Sequence, residues 1–201
     1  AIEHHTQALA IHREIGDRDS EALDLGNLGV AHLQHLHDAA AALPWLQQSV
    51  AAWDAIWADL ATDRQRVTFG DTFVAHAHAL QRAHARLGHP EEALVCAERA
   101  RSRAFELLLA QQRLGAPQQQ HQAPAAATAD DGALLPAATL DWPALQAAAK
   151  AQRACVVVYS QVRATEILAW VLRSSDGGLA FHGALELDAV SYTHLTLPTK
   201  A

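Results

Sequence analysis

The residues Leu80, Ala83, His84 and Leu87, then the run Gly88-His89-Pro90-Glu91-Glu92, then Ala93, Ala97 and Ala100 decide how this chain folds. Before Gly88 the apolar and small positions recur at i, i+3, i+4 and i+7, and after Pro90 small residues recur at i, i+4 and i+7, so each arm carries one stripe at the helical period. Gly88 stands where a helix C-terminus wants a residue that tolerates φ > 0. Pro90 stands at a first helical position, where its missing N–H is not felt, and Glu91 and Glu92 complement the positive end of the helix dipole. The stretch predicts two antiparallel helices joined by a tight turn. Ala93, Ala97 and Ala100 let the second lie close on the first, with Leu80 and Leu87 filling the gap.

The same period extends toward the N-terminus. Ala1, His5, Ala8, Leu9 and Ile11 fall on one stripe, so residues 1–16 read as the second helix of a repeat whose first helix has been lost. The run Gly16-Asp17-Arg18-Asp19 stops that helix, and Ser20 offers an N-cap for the next. Leu23, Leu25, Leu28, Gly29, Ala31 and His32 carry that helix. After a turn at His35-Leu36-His37-Asp38, its partner carries Ala42, Leu43, Trp45, Leu46, Ser49 and Val50. Residues 51–87 continue as a long helical region with Trp53, Ile56, Trp57, Leu60, Val67, Phe69, Phe73, Val74 and Ala77 as its core stripe and a break at Gly70-Asp71.

Leu28-Gly29 in one first helix, and Leu80, the Gly88 turn, Ala93, Ala97 and Ala100 in the later hairpin, resemble the tetratricopeptide repeat (TPR), in a form longer than its usual ~34 residues. The continuation from Ala97 through Arg103 to Leu109 resembles the last repeat helix of CHAT proteins, in which a caspase-like domain follows such repeats. Arg64 and Arg66 have two readings, solvated charges on a helix face or the arginines of CHAT helices just upstream of the final hairpin.

Beyond the hairpin the pattern changes. Residues 115–139, rich in Gln, Ala and Pro, have no period and no aromatic side chain, and are expected to be a disordered linker. Leu140-Asp141-Trp142-Pro143 leads into a short amphipathic helix carrying Leu145, Ala148 and Ala149, after which the pattern becomes strand-like. Cys155 to Tyr159, Ile167 to Leu172 and Leu179 to His182 read as three strands, the last two separated by the turn Ser174-Ser175-Asp176-Gly177-Gly178. This meander resembles the opening of a CHAT domain. Val190-Ser191-Tyr192-Thr193-His194-Leu195-Thr196-Leu197-Pro198-Thr199-Lys200 resembles translated sequencing-adapter DNA, which would end the genuine protein near Ala189.

The expected fold is thus mainly α. Residues 1–114 form antiparallel helical hairpins of a TPR-like superhelical solenoid, 115–139 a linker, 140–189 the β-meander that begins a truncated α/β CHAT domain, and 190–201 an adapter artefact. The sequence contains no Met, consistent with a piece of something longer, and its Arg-over-Lys and Ala-rich composition points to a bacterium.

Composition narrows the functional classes. A net charge of −7 argues against a partner held by phosphate neutralisation, so no nucleic acid is expected. No apolar run reaches the ~18 residues of a membrane span, and the two cysteines lack disulfide or zinc spacing, which fits a cytoplasmic protein. The CHAT resemblance implies a cysteine peptidase whose His and Cys lie beyond Leu187, so Cys96 and Cys155 read as small apolar fillers. Thirteen histidines raise a metal hypothesis, but the groups His4-His5, His32-His35-His37 and His76-His78 lack an i, i+4 pair with a supporting carboxylate. His84 takes a packing position where the repeat usually has an aromatic ring. Arg99, Arg101 and Arg103 read as a solvated complement to the helix dipole, or alternatively as a docking patch for the downstream domain or an acidic peptide.

No catalytic, cofactor-binding or metal residue is therefore assigned in this chain. The expected role is a protein-interaction scaffold, binding a protein or peptide in the concave TPR groove as the regulatory arm of a CHAT-family peptidase. The alternative is a non-catalytic TPR adaptor or signalling protein with a degenerate CHAT domain.

Overall fold

The computed structural model describes residues 2–60, 62–115, 141–152, 155–163, 166–173 and 175–186. The chain divides into two compact units, Ala1–Asp141 and Trp142–Ala201. In the first, helices α1 (Ile2–Ile15), α2 (Arg18–Gln34), α3 (Ala39–Asp59), α4 (Asp63–Arg86) and α5 (Pro90–Gly115) follow one another, each packed on its neighbour in sequence. The second holds α6 (Trp142–Gln152) and strands β1 (Val156–Arg163), β2 (Glu166–Leu172) and β3 (Leu179–Glu186).

The hairpin read from residues 80–100 is present in the expected register. Gly88 has φ +74°. The His89 N–H reaches the His84 carbonyl at 3.0 Å and the Gly88 N–H reaches that of Ala85 at 3.3 Å, a Schellman closure of the helix end. Ala93, Ala97 and Ala100 are buried on α5, and Leu80 and Ala83 on α4. The α1–α2 turn closes in the same way, with Gly16 at φ +71° and the Asp17 N–H on the His12 carbonyl at 3.0 Å.

Asp17 rather than Ser20 caps α2, its carboxylate accepting the Ser20 N–H at 3.1 Å. A carboxylate three residues upstream of the expected cap offers a charge-assisted bond that a hydroxyl does not. Asp38 caps α3 equivalently, accepting the Ala41 N–H at 2.8 Å. The break expected at Gly70-Asp71 does not occur there, since α4 continues through both positions. It falls after Asp59 instead, where Leu60 turns to extended backbone (ψ 115°) and its N–H closes the last turn on the Trp57 carbonyl.

Among the described residues, apolar clusters tie α1–α5 together. Leu9 of α1 packs with Leu25 and Leu28 of α2. Ala42 and Leu46 of α3 pack with Leu33 of α2 and with Leu80 and Ala83 of α4. Trp53 and Ile56 of α3 join Ala22 of α2, Phe73 and Ala77 of α4, and Ala100 of α5. Ile11 and Leu23, expected on the buried stripes, are instead 57% and 41% exposed. On their helices the buried arcs are centred on Leu9 and on Ala22, Leu25 and Gly29, which leaves these two side chains on the far side. The expected core positions Val67 and Phe69 have side chains outside the described set.

Two glycines set the helix separations. A Cβ on Gly29 would lie 2.4 Å from Leu46 Cγ of α3, and one on Gly26 would lie 2.1–2.3 Å from three ring atoms of His76 on α4. Helix α2 therefore presents bare backbone to both neighbours. Gly26 meets His76, and farther along both helices the Leu33 carbonyl accepts a 3.1 Å bond from Arg86 Nη1, so α2 and α4 run side by side in the same direction.

In the second unit the sheet order is β1-β2-β3, antiparallel throughout. Trp170, fully buried, stacks 5.4 Å from Phe181 across β2 and β3. The expected turn forms over its described residues, 175–178. Asp176 bonds Arg173 at 3.0 Å and the Gly178 N–H at 2.9 Å, and these bonds hold its carboxyl low, at about 2. Strand β3 runs four residues beyond His182. Cys155 precedes β1 and is exposed rather than buried, as are Val157 and Tyr159 on one face of that strand. The expected linker and adapter segments lie outside the described residues, apart from Gly115, which ends α5.

Candidate functional site

The first unit carries more buried polar chemistry than a helical stack needs for packing. At the α1–α2 contact, His5 and His12, two turns apart on α1, each direct Nδ1 at one oxygen of the buried Asp24, at 2.9 and 2.8 Å. Each imidazole is placed to donate from Nδ1 to one oxygen of the carboxylate. The i, i+7 spacing of His5 and His12 is the sequence signal for this pairing, whereas attention to adjacent histidines misses it.

Where α2, α3 and α4 converge, Ser49 donates to the Ala22 carbonyl at 2.8 Å, and His76 Nδ1 lies 3.1 Å from Ser49 Oγ and accepts the Trp53 indole N–H at 3.2 Å. Burial lowers the His76 pKa to about 4. A serine beside a histidine invites a nucleophile–base reading, but the Ser49 hydrogen is taken by a backbone carbonyl and both side chains are buried. The pair joins three helices rather than facing a substrate.

The third group corrects the expectation of a solvated arginine cluster. Arg103 is 5% exposed, bonded to Asp54 of α3 at 2.8 Å and to Glu106 at 2.9 Å, with its guanidinium 4.4 Å above the Trp57 ring and 5.5 Å from that of Phe73. Two carboxylates and two aromatic faces replace its water, the combination that makes a buried arginine tolerable. Arg101 is exposed and pairs with Glu98, while Arg99 is half-buried. Arg103 is therefore spent inside the fold and does not present a docking charge.

Beside it, Val50 and Asp54 of α3, Phe73, Ala77 and Leu80 of α4, and Cys96 and Arg99 of α5 line a cleft of about 30 Å³, room for one water. The Cys96 thiol at its wall is pushed up to about 11 by burial. Cys155 stands one residue before the level at which Val156, Leu172 and Leu179 align across the sheet, while His182 lies three residues past it on β3. That is four residues along and two strand spacings across, about 16 Å between the two backbone positions, so they form no dyad. Native protein treated with a chromogenic disulfide reagent is expected to titrate one thiol promptly, Cys155, and the second only on unfolding. Prompt reaction of Cys96 would contradict its burial.

Among the other histidines, His35, His37 and His4 are exposed, whereas burial lowers the pKa of His78 and His84. His84 is buried as expected of a packing position, its ring 5.8 Å from that of His89. Among the described residues no group of three or more His, Cys, Asp or Glu side chains is arranged to hold a metal ion. Arg64 is exposed, and the side chain of Arg66 lies outside the described set.

One side of the stack remains open. Leu23, Asn27, Val30 and Gln34, spaced i, i+4, i+7 and i+11 on α2, are accessible or half-buried, while Ala22, Leu25, Gly26, Leu28, Gly29 and Leu33 between them are buried. On α4, Ala75, His78, Ala85 and Arg86 are accessible or half-buried on the corresponding side, with Arg82 between them buried. Because α2 and α4 run parallel, the two stripes lie side by side. They mix apolar, amide and cationic groups, which suits an extended or helical peptide better than a small polar substrate. No family model, curated protein or solved structure matches this chain.

Proposed function

We propose that residues 1–115 form a protein-interaction scaffold of the TPR kind, binding a protein or peptide segment across the accessible stripes of α2 and α4, and that it serves as the regulatory arm of a CHAT-type, caspase-like cysteine peptidase. The observation that carries the reading is the hairpin register. Ala93, Ala97 and Ala100 are buried against α4, and the first helices of the two hairpins, α2 and α4, run in parallel with one side uncovered. Stacked hairpins of this type present a continuous surface for extended ligands. The antiparallel β1-β2-β3 meander after α6 is compatible with the opening of the caspase-like domain. No described helix is long and apolar enough to cross a membrane. The two free cysteines fit a reducing, cytoplasmic setting.

The second reading, a non-catalytic adaptor, differs only in whether the His and Cys that the CHAT resemblance places beyond Leu187 are present, so Cys96 and Cys155 do not separate the two. Both readings share the binding face, which is tested first. Peptides selected from a random library against the full chain and measured by fluorescence anisotropy are expected to bind saturably in the micromolar range. Leu23→Arg should weaken them at least about tenfold and Gln47→Arg, on the exposed side of α3, should not. Peptides that ignore Leu23→Arg, or no saturable binding at all, would reject the scaffold reading.

A further inference from the structure

His76 sits where α2, α3 and α4 meet, and its bond from Trp53 requires an unprotonated Nδ1. Its Nδ1 accepts the Trp53 N–H, which fixes the hydrogen on Nε2. Its ring lies flat on the bare backbone of Gly26, with no space for displacement toward α2. A second ring hydrogen, added at Nδ1, would point at the Trp53 donor. Ser49 Oγ, 3.1 Å away with its own hydrogen on the Ala22 carbonyl, can accept that hydrogen, but the Trp53 N–H then loses Nδ1 as its acceptor.

Among the described side chains, no carboxylate is bonded to the ring. From α2 the ring meets Gly26 and the Ala22 carbonyl, and from α3 Ser49 and Trp53. The acidic side chains of those helices near this level, Asp24 and Asp54, are committed to His5 with His12 and to Arg103. On the α5 side, Arg103 sits over Phe73, one turn before His76 on α4, with its charge already met by Asp54 and Glu106. His78 of the same helix is a further base.

We propose that His76 is an acid-labile pin. Its protonation drives α4 off the α2–α3 groove, so the hairpin α4–α5 separates from α1–α3 and the parallel stripes of α2 and α4 come apart. The device is independent of what the scaffold binds. The sign follows from linkage. The imidazole binds its proton at about 4 in the fold against an ordinary 6.5 when unfolded, so stability is complete above pH 6.5, is lost as pH falls toward 4, and levels off below.

The test is the slope of stability against pH in the full chain, wild type and His76→Gln, by urea unfolding between pH 7 and 4.5. The wild-type unfolding constant is expected to rise by up to about tenfold per pH unit more steeply than that of His76→Gln. His78 and His84 remain in both proteins and cancel in the difference. Equal slopes would overturn the proposal. In the wild type alone, nitrogen-15 NMR of the imidazole provides a readout that needs no variant. A ring that stays neutral at pH 5.5, with the Trp53 indole N–H resonance moving only as α4 is released, is expected. A ring that titrates near pH 6.5 inside an intact fold would sink it.

Discussion

Ala97→Glu is expected to lower the stability of the helical unit by about 3–5 kcal/mol, the usual penalty for a buried charge without a partner. Ala97 is 4% exposed at the α4–α5 contact, where small side chains set the distance between the helices. Ala93 and Ala100 are similarly buried on the same stripe, so the longer side chain cannot be absorbed by a small rotation of α5. Circular dichroism melting should show a fall of about 10 °C or more. A melt like that of the wild type would mean that Ala97 faces solvent and that the register is wrong.

The second large effect comes from a substitution that normally helps. Gly→Ala inside a helix usually stabilises by about 1 kcal/mol. Gly26→Ala should instead destabilise by about 3 kcal/mol, because the new methyl would overlap three atoms of the His76 ring and that ring is held by Trp53. In a His76→Ala background the space is open and the same change should cost little or gain, a coupling that chemical denaturation of the four proteins reads directly. Additive effects would show that the two residues are not in contact.

These two sites differ in how far the sequence announces them. The hairpin is legible because everything that makes it is local. A stripe of small residues, a glycine at the helix end and a proline at the next start lie within about twenty residues, and tertiary packing agrees with them. The Gly26–His76 contact joins positions fifty residues apart and leaves no periodic trace. A glycine on a helix reads as a weakness until the ring that lies on it is known. Arg103 fails for a related reason. A charge on a helix face is solvated unless another element brings its partners, and Asp54 and Trp57 come from α3. The misplaced break at Gly70-Asp71 shows the opposite error, because glycine was given a breaking role that the surrounding helix overrides.

The candidate binding face was legible only as a consequence of the TPR resemblance. Its residues could not be chosen from sequence, since Leu23 reads as core by hydrophobicity and is 41% exposed. In sequence the two cysteines read alike, as small apolar fillers. Their surroundings separate them, with Cys96 half-buried in a cleft wall and Cys155 open to solvent.

The central claim, that the parallel stripes of α2 and α4 receive a peptide, is most directly tested by hydrogen–deuterium exchange of the full chain with and without a library-selected ligand. Slower exchange is expected in the α2 segment from Leu23 to Gln34 and in the α4 segment from Ala75 to Arg86, with α3 and the sheet unchanged. Protection confined to α3, α5 or the β1-β2-β3 sheet would contradict it.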